Sequence, residues 1–229
     1  GGDGTARAVS RGAGEVPLLC VSTGTNNVLP VFIEGTIAGM AVGAVALGLV
    51  PQDEASYRSK RLVATLNGDL LDSALVDIAL LKSRFTGAGA VWDPGAIRYV
   101  WVTRAEPHNI GLTSVAATQG TIGPREPFGR WLALAGPSAS GPLAALAPGL
   151  VVPMAATAVE TLWPDRPIDV TVDEPSVLAL DGEREHALKT GAHLEVTLRL
   201  DGPWLIDPQV AMRVWAEAES QSSYDRGAG

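Results

Sequence analysis

Gly1-Gly2-Asp3-Gly4-Thr5 opens the sequence, and the reading of these residues decides the fold. Three glycines surround one carboxylate and lead to one hydroxyl. Glycine has no Cβ, so backbone N–H groups in such a run can come close to a ligand. Successive N–H groups arranged this way form a concavity for anions, phosphate above all. Asp3 would stand among these donors as the group able to accept a proton or hold a metal. The alternative is a surface turn, because Asp-Gly is a strong turn dipeptide. The five residues alone do not choose between the two.

Working outward, Val16-Pro17-Leu18-Leu19-Cys20-Val21 is a short continuous apolar run, the pattern of a strand covered on both faces. It ends in the polar stretch Ser22-Thr23-Gly24-Thr25-Asn26-Asn27. A helix is expected from about Glu34 to Leu49, with Gly35, Gly39 and Gly43 forming a smooth stripe for close backbone approach. Both polar loops would then lie at the carboxyl edge of a parallel sheet, where α/β proteins bind ligands. A phosphate loop ordinarily follows a strand, and residues 1–52 are few for a doubly wound domain. The expectation is therefore a partial α/β nucleotide-binding domain whose amino-terminal part is absent.

Composition narrows the function classes. The chain has 229 residues, 46% of them hydrophobic, which suffices for one large domain or two small ones. A formal charge of −8 with scattered basic residues argues against non-specific nucleic-acid binding. Cys20 is the only cysteine, so intrachain disulfides and cysteine-based zinc sites are excluded, and its apolar surroundings predict a buried thiol. His108, His186 and His193 offer no helix-spaced pair, so no metal site is expected from protein ligands. Val28–Val50 is long enough to span a bilayer, with Glu34 its only charge. Pro30, Glu34, the glycines and the lack of basic flanks favour a buried helix instead. No membrane partner is expected, no secretory pattern is visible, and a cytoplasmic location follows by default.

Beyond residue 52 the signals change to short strands and tight turns, so a boundary is placed there. Arg61–Leu66 and Leu70–Leu81 flank Asn67-Gly68-Asp69, a strong hairpin turn. Ile97–Thr103, Ile110–Thr118 and Trp131–Ala135 read as strands, and Ser138–Gly149 as turn-like. Ile168–Val172 is a further strand, and Val177–Leu180 and Glu183–Leu188 flank the turn Asp181-Gly182. His193–Arg199 alternates apolar and polar residues as a half-solvated strand does. Asp207 suits an N-cap and Pro208 a first helical position, with Val210, Val214 and Ala218 on one side of a helix to about Glu219. The reading is α+β or α/β, divided into 1–52 (α/β part), 53–206 (β-sandwich) and 207–229 (closing helix and tail).

Gly1-Gly2-Asp3-Gly4-Thr5, the Pro-started apolar run and Ser22-Thr23-Gly24-Thr25-Asn26-Asn27-Val28 together resemble the ATP-NAD kinase superfamily, closest to the acetoin-catabolism protein X branch. Leu180-Asp181-Gly182-Glu183-Arg184-Glu185 and Lys189-Thr190-Gly191 are similar to that branch's carboxy-terminal sheet. The resemblance implies a nucleotide cleft between an α/β domain and a β-sandwich, with ATP as phosphoryl donor and Mg²⁺ as its counter-ion. It implies that Asp3 faces the acceptor ribose hydroxyl of NAD or a related nucleotide. Gly1, Gly2, Gly4 and Thr5 would serve the donor phosphates, and Thr23, Gly24, Asn26 and Asn27 the second nucleotide loop. A homo-oligomer is a further implication.

Departures from the family pattern keep other functions open. Where NAD kinases carry an Asn-Glu pair, this chain reads Ala74-Leu75-Val76-Asp77, so only the acid Asp77 corresponds. For Asp77 an exposed strand position is the alternative, and for Asn26 and Asn27 it is hydrogen bonding within the loop. Asp181-Gly182 reads as a hairpin turn only. The competing functions are a non-catalytic nucleotide-binding accessory protein of acetoin catabolism and a lipid kinase of the diacylglycerol or sphingosine type.

Overall fold

The computed structural model describes residues 1–24, 27–82, 93–182 and 184–227. Helices α1 (Asp3–Ala13), α2 (Gly35–Ala46) and α3 (Gln52–Ala55) precede strands β1 (Ser56–Arg58), β2 (Arg61–Leu66), β3 (Asp69–Ala74), β4 (Asp77–Lys82) and β5 (Ile97–Val102). Helix α4 (Leu112–Ala117) is followed by β6 (Gly129–Pro137), β7 (Leu143–Ala147), β8 (Leu150–Leu162) and β9 (Ile168–Thr171). Then come β10 (Ser176–Leu180), β11 (Arg184–Leu188), β12 (His193–Arg199), β13 (Trp204–Ile206) and helix α5 (Pro208–Gly227).

Strands β1 and β13 pair with each other, and the others form a seven-stranded sheet in the order β11-β10-β4-β5-β6-β8-β7 and a four-stranded sheet in the order β3-β2-β12-β9. Both are antiparallel throughout. Leu62 and Ala64 of β2 and Leu194, Val196 and Leu198 of β12 meet Ile78, Leu80, Trp101 and Leu178 of the larger sheet in one core. Burying such side chains stabilises by about 1.5–3 kcal/mol each. Ala79 and Leu81 point to the opposite face of β4, where Val100, Val102 and Leu132 pack with Val115 and Ala116 of α4. Strand β4 is thus covered on both faces, which is why it reads as a continuous apolar run, whereas β12 buries one face and alternates.

Several sequence expectations need correction. Ile110–Thr118 is not a strand: Gly111, at φ 101°, leads into α4, whose residues are buried against β7, β5 and β6. Tertiary burial overrides the β-branched composition there. Leu70–Leu81 is not one strand either. It breaks at Leu75-Val76, where the chain crosses from the smaller sheet to the larger. Ser138–Gly149 contains β7, and α5 continues to Gly227 rather than ending near Glu219. The Val16–Val21 run makes only isolated bridges, Leu18 with Leu205 and Val21 with Val31, and Val16 is exposed.

The helix after it is real but not fully buried. Among its residues only Ala38, Ala41 and Ala44 are buried, against α5 and α3 near Val50, Ala55 and Ala211. Gly35, Gly39 and Gly43 face open space, so the smooth stripe receives no backbone here. On α5 the contact side is Ala211, Met212, Val214 and Trp215, a quarter turn from the predicted Val210–Val214–Ala218 line. No helix among the described residues is long and apolar enough to cross a membrane.

One buried cation joins the sheet to a loop. Lys60 Nζ, just before β2, donates to the carbonyl oxygens of Gly123 (3.1 Å), Glu126 (2.8 Å) and Phe128 (2.9 Å). Burial first, and then the Arg104 charge, lower its pKa to about 8, with Glu126 and Glu106 opposing. Replacing Lys60 by Met should leave these carbonyls without their donor and destabilise the fold by about 2–4 kcal/mol. Urea unfolding at pH 7 measures this; an unchanged midpoint would show that the loop does not depend on the ammonium.

Candidate functional site

The glycine-rich opening is the start of a helix rather than a free loop. Gly2 is the N-cap of α1, in extended conformation and with no side chain to cap the first turn. The first amides of a helix have no intrahelical acceptor and carry its positive dipole end. A side chain at position 1 would put its Cβ 2.6 Å from Cβ and Oγ1 of Thr5, so glycine is needed for this close approach. The Gly1 nitrogen donates to the Val21 carbonyl (2.9 Å). Gly4 is buried and Thr5 exposed. A shallow pocket beside this turn is lined by Gly1, Gly2, Thr5, Ala6, Val9 and residues 18–21.

Asp3, Arg7 and Arg11 recur every four residues along α1, so they share one side of the helix. Each reaches a different element. The Asp3 carboxylate accepts from the Val28 N–H (2.9 and 3.2 Å to its two oxygens) and from the Leu29 N–H (2.8 Å). Arg7, itself buried, donates to the Leu180 carbonyl (3.2 Å) and lies 3.6 Å from the Asp181 carboxylate. Arg11 pairs with Asp72 of β3, whose second oxygen is 3.2 Å from His186 Nε2 on β11. Burial alone would raise the Asp72 pKa. The Ser73 N–H, His186 and the charges of Arg11 and Arg7 more than offset this and hold it below the usual range.

Asp181 was legible only as a turn residue, and the turn is there. Asp181 and Gly182 have φ 49° and 69°, the left-handed pair that joins β10 to β11. Its carboxylate, however, is fully buried and accepts from three successive amides: Leu75 (3.1 and 3.2 Å), Val76 (2.8 Å) and Asp77 (3.3 Å). These amides are the crossover between β3 and β4. Burial raises the Asp181 pKa to about 6, against the opposing effect of the three amides and Arg7. Neither Asp181 nor Arg7 was singled out from the sequence. The four-residue spacing of Asp3, Arg7 and Arg11 is a signal that could have found Arg7, whereas nothing local marks the burial of Asp181.

Asp77 is the first residue of β4 and is half-buried. Burial pushes its carboxyl well above the usual carboxylate range, and the charges of Asp181 and Asp3 push in the same direction. Ala6 of α1, Leu29 of the second loop and Leu75 and Val76 of the crossover pack in one cluster. This cluster packs together the segments that carry Asp3 and Asp77, and the Asp3 charge is one of those that raise the Asp77 pKa. Thr23 and Gly24, by contrast, are exposed. Asn27 donates from Nδ2 to Ser22 Oγ (2.7 Å), a bond within its own loop. Asn26 lies outside the described residues. Cys20 is half-buried, and burial and the Asp3 charge raise its pKa. Among the described residues no group of three or more His, Cys, Asp or Glu side chains has a metal-holding arrangement.

Residues 60–201 match the family described as the acetoin catabolism protein X C-terminal domain. Acetoin catabolism protein X of Cupriavidus necator is 38% identical over 219 residues, covering 93% of this chain. The chain spans 61% of that relative's length. Yeast NADH kinase complexed with NADH superposes with a TM-score of 0.52 at 16% identity, over 90% of this chain and 61% of that one. An NAD kinase from Archaeoglobus fulgidus in complex with ATP superposes with a TM-score of 0.51 at 12% identity, over 96% of this chain and 80% of that one. The fold is that of the NAD kinases.

The buried acids set a pH dependence of stability. Asp181 ionises at about 6 in the folded chain against an ordinary value of 3.8. Its contribution is therefore complete below about 3.8 and is lost as pH rises through about 6. Asp77 acts in the same direction. Asp72, whose pKa is lowered, contributes above its unfolded value and loses that contribution as pH falls further. The melting temperature should decline from about pH 4 to pH 6, and Asp181→Asn should reduce that decline. A variant whose thermal profile keeps the full slope would assign it to other groups.

Proposed function

The chain belongs to the acetoin catabolism protein X C-terminal domain family, and on that premise we propose that it forms the nucleotide site of an ATP-dependent kinase. The acceptor is the ribose hydroxyl of NAD or a related nucleotide. One observation supports this reading above others: the glycine-rich start of α1, which carries Asp3, packs through Ala6 against Leu75 and Val76, the residues that lead into Asp77. Phosphoryl transfer asks a protein mainly for positioning and charge stabilisation. The first amides of a helix suit phosphate oxygens, and two acids near them suit acceptor hydroxyls. In this reading residues 1–52 supply the donor side of the site, 53–206 the platform that carries Asp77, and 207–229 the brace behind α2.

Within the proposed site, Gly1, Gly2, Gly4 and Thr5 bind donor phosphates through backbone amides and the exposed Thr5 hydroxyl. Asp3 orients the acceptor hydroxyl. Asp77, biased toward its protonated form, donates a hydrogen bond to a ribose oxygen. Thr23, Gly24, Asn26 and Asn27 flank the nucleotide from the second loop. The carboxylates of Asp3 and Asp181 are engaged by backbone amides and do not form a cage for Mg²⁺. That ion would belong to the triphosphate, in keeping with its reluctance to lose water.

A second reading, a nucleotide-binding accessory protein without catalysis, is favoured by the same amides. The Val28 and Leu29 amides already occupy acceptor positions of the Asp3 carboxylate, which leaves fewer of them for an acceptor hydroxyl. The two readings separate on one variant. Asp3→Asn keeps an acceptor for the loop amides, so dinucleotide affinity should stay within about threefold. Transfer from ATP to NAD should fall by about 10²–10⁴, the range of a positioned general base. Calorimetry and NADP formation measure the two. Binding without turnover in the unaltered protein would leave the accessory reading, and absence of both ATP and NAD binding would remove the nucleotide reading altogether.

A further inference from the structure

We infer that Asp181 is a positioning residue: with Arg7 it fixes the backbone of Asp77 against the start of α1, so that Asp77 and Asp3 are presented together. The inference rests on the nucleotide-site reading for its functional consequence, and on geometry alone for the latch itself. The carboxylate is wholly withdrawn from solvent and lies in the left-handed turn between β10 and β11. Its acceptor positions are filled by the amides of Leu75, Val76 and Asp77, more than a hundred residues away in sequence. Leu75 and Val76 form the step where the chain leaves the four-stranded sheet for the seven-stranded one and have no partner in either ladder, and Asp77 is the first residue of β4 to be paired.

A run of three amides converging on one carboxylate is an anion nest formed by the protein for its own side chain. Thr103 Oγ1 secures the other side of the crossover by donating to the Leu75 and Val76 carbonyls (2.8 and 3.2 Å). Arg7 then closes the nest from α1, donating to the Leu180 carbonyl while facing the Asp181 oxygen. One carboxylate thereby joins the turn after β10, the residue that begins β4 and the helix that begins with Asp3. A buried ion pair of this kind is weak evidence for stability but strong evidence for fixed geometry, because each partner is costly to leave unpaired.

The test uses Asp181→Asn, since asparagine tolerates the left-handed backbone at this turn. Amide hydrogen exchange comes first, because it needs no ligand. In the unaltered protein the Leu75, Val76 and Asp77 amides should be protected. In the variant they should exchange at least about tenfold faster, as expected for loss of a charge-assisted bond, while the Leu80 amide within β4 stays unchanged. Equal exchange in the two proteins overturns the latch. Titration calorimetry with NAD follows, below the melting temperature of every variant. Asp181→Asn should weaken NAD binding about tenfold, and it should cost nothing further in an Asp77→Ala background.

Losses that multiply in the double variant, or an affinity within twofold of the unaltered protein, overturn the positioning role even if exchange accelerates. If Asp181→Asn fails to fold because Arg7 is left buried and unpaired, Arg7→Met/Asp181→Asn replaces it and removes both charges. An unaltered protein that binds neither NAD nor ATP, yet shows the exchange difference, keeps the latch and defeats the nucleotide reading instead.

Discussion

The buried carboxylate of Asp181 ties three parts of this molecule together. Three successive amides of the crossover and a guanidinium of α1 converge on it in the turn after β10. A charge removed from water this fully would be costly in isolation. Its partners lessen that cost without abolishing it, which is why its pKa rises to about 6 rather than falling as in most paired acids. The group therefore sits between two requirements. It must be charged to hold Arg7 most strongly, and burial opposes the charge.

The two sheets make that constraint effective. A core of aliphatic and aromatic side chains between them gives the strands little freedom to slide. The crossover at Leu75-Val76 inherits this rigidity, and α1 is docked onto it by Ala6 and by its charged side. Arg11, Asp72 and His186 provide a second tie, two turns along the helix from Asp3. The residues of the proposed site are consequently held by the sandwich as well as by their own loops. Precision of this kind suits a reaction in which positioning does most of the work.

Asp3 has a double role in this arrangement. Its hydrogen bonds to Val28 and Leu29 make it the clasp between the helix start and the second loop. Its charge also bears on Asp77, whose pKa is raised first by burial, then by the Asp181 charge and then by that of Asp3.

Local sequence preference accounts for much of the fold. Alternation along His193–Arg199, the Asn67-Gly68 turn with φ 52° and 90°, and Asp207 before Pro208 were all legible. Each depends on dihedral preference or on side-chain periodicity within a few residues, and a sequence states those directly. The glycine-rich opening singled out Asp3, but as part of a loop or turn; that the residues begin a helix was not legible. The tertiary structure alone decided the rest: that Ile110–Thr118 turns into a helix, that α2 buries only one face, and that a turn aspartate becomes the buried partner of α1. Those outcomes depend on which surfaces meet across a hundred or more residues, and no local pattern encodes where a buried charge will find its amides.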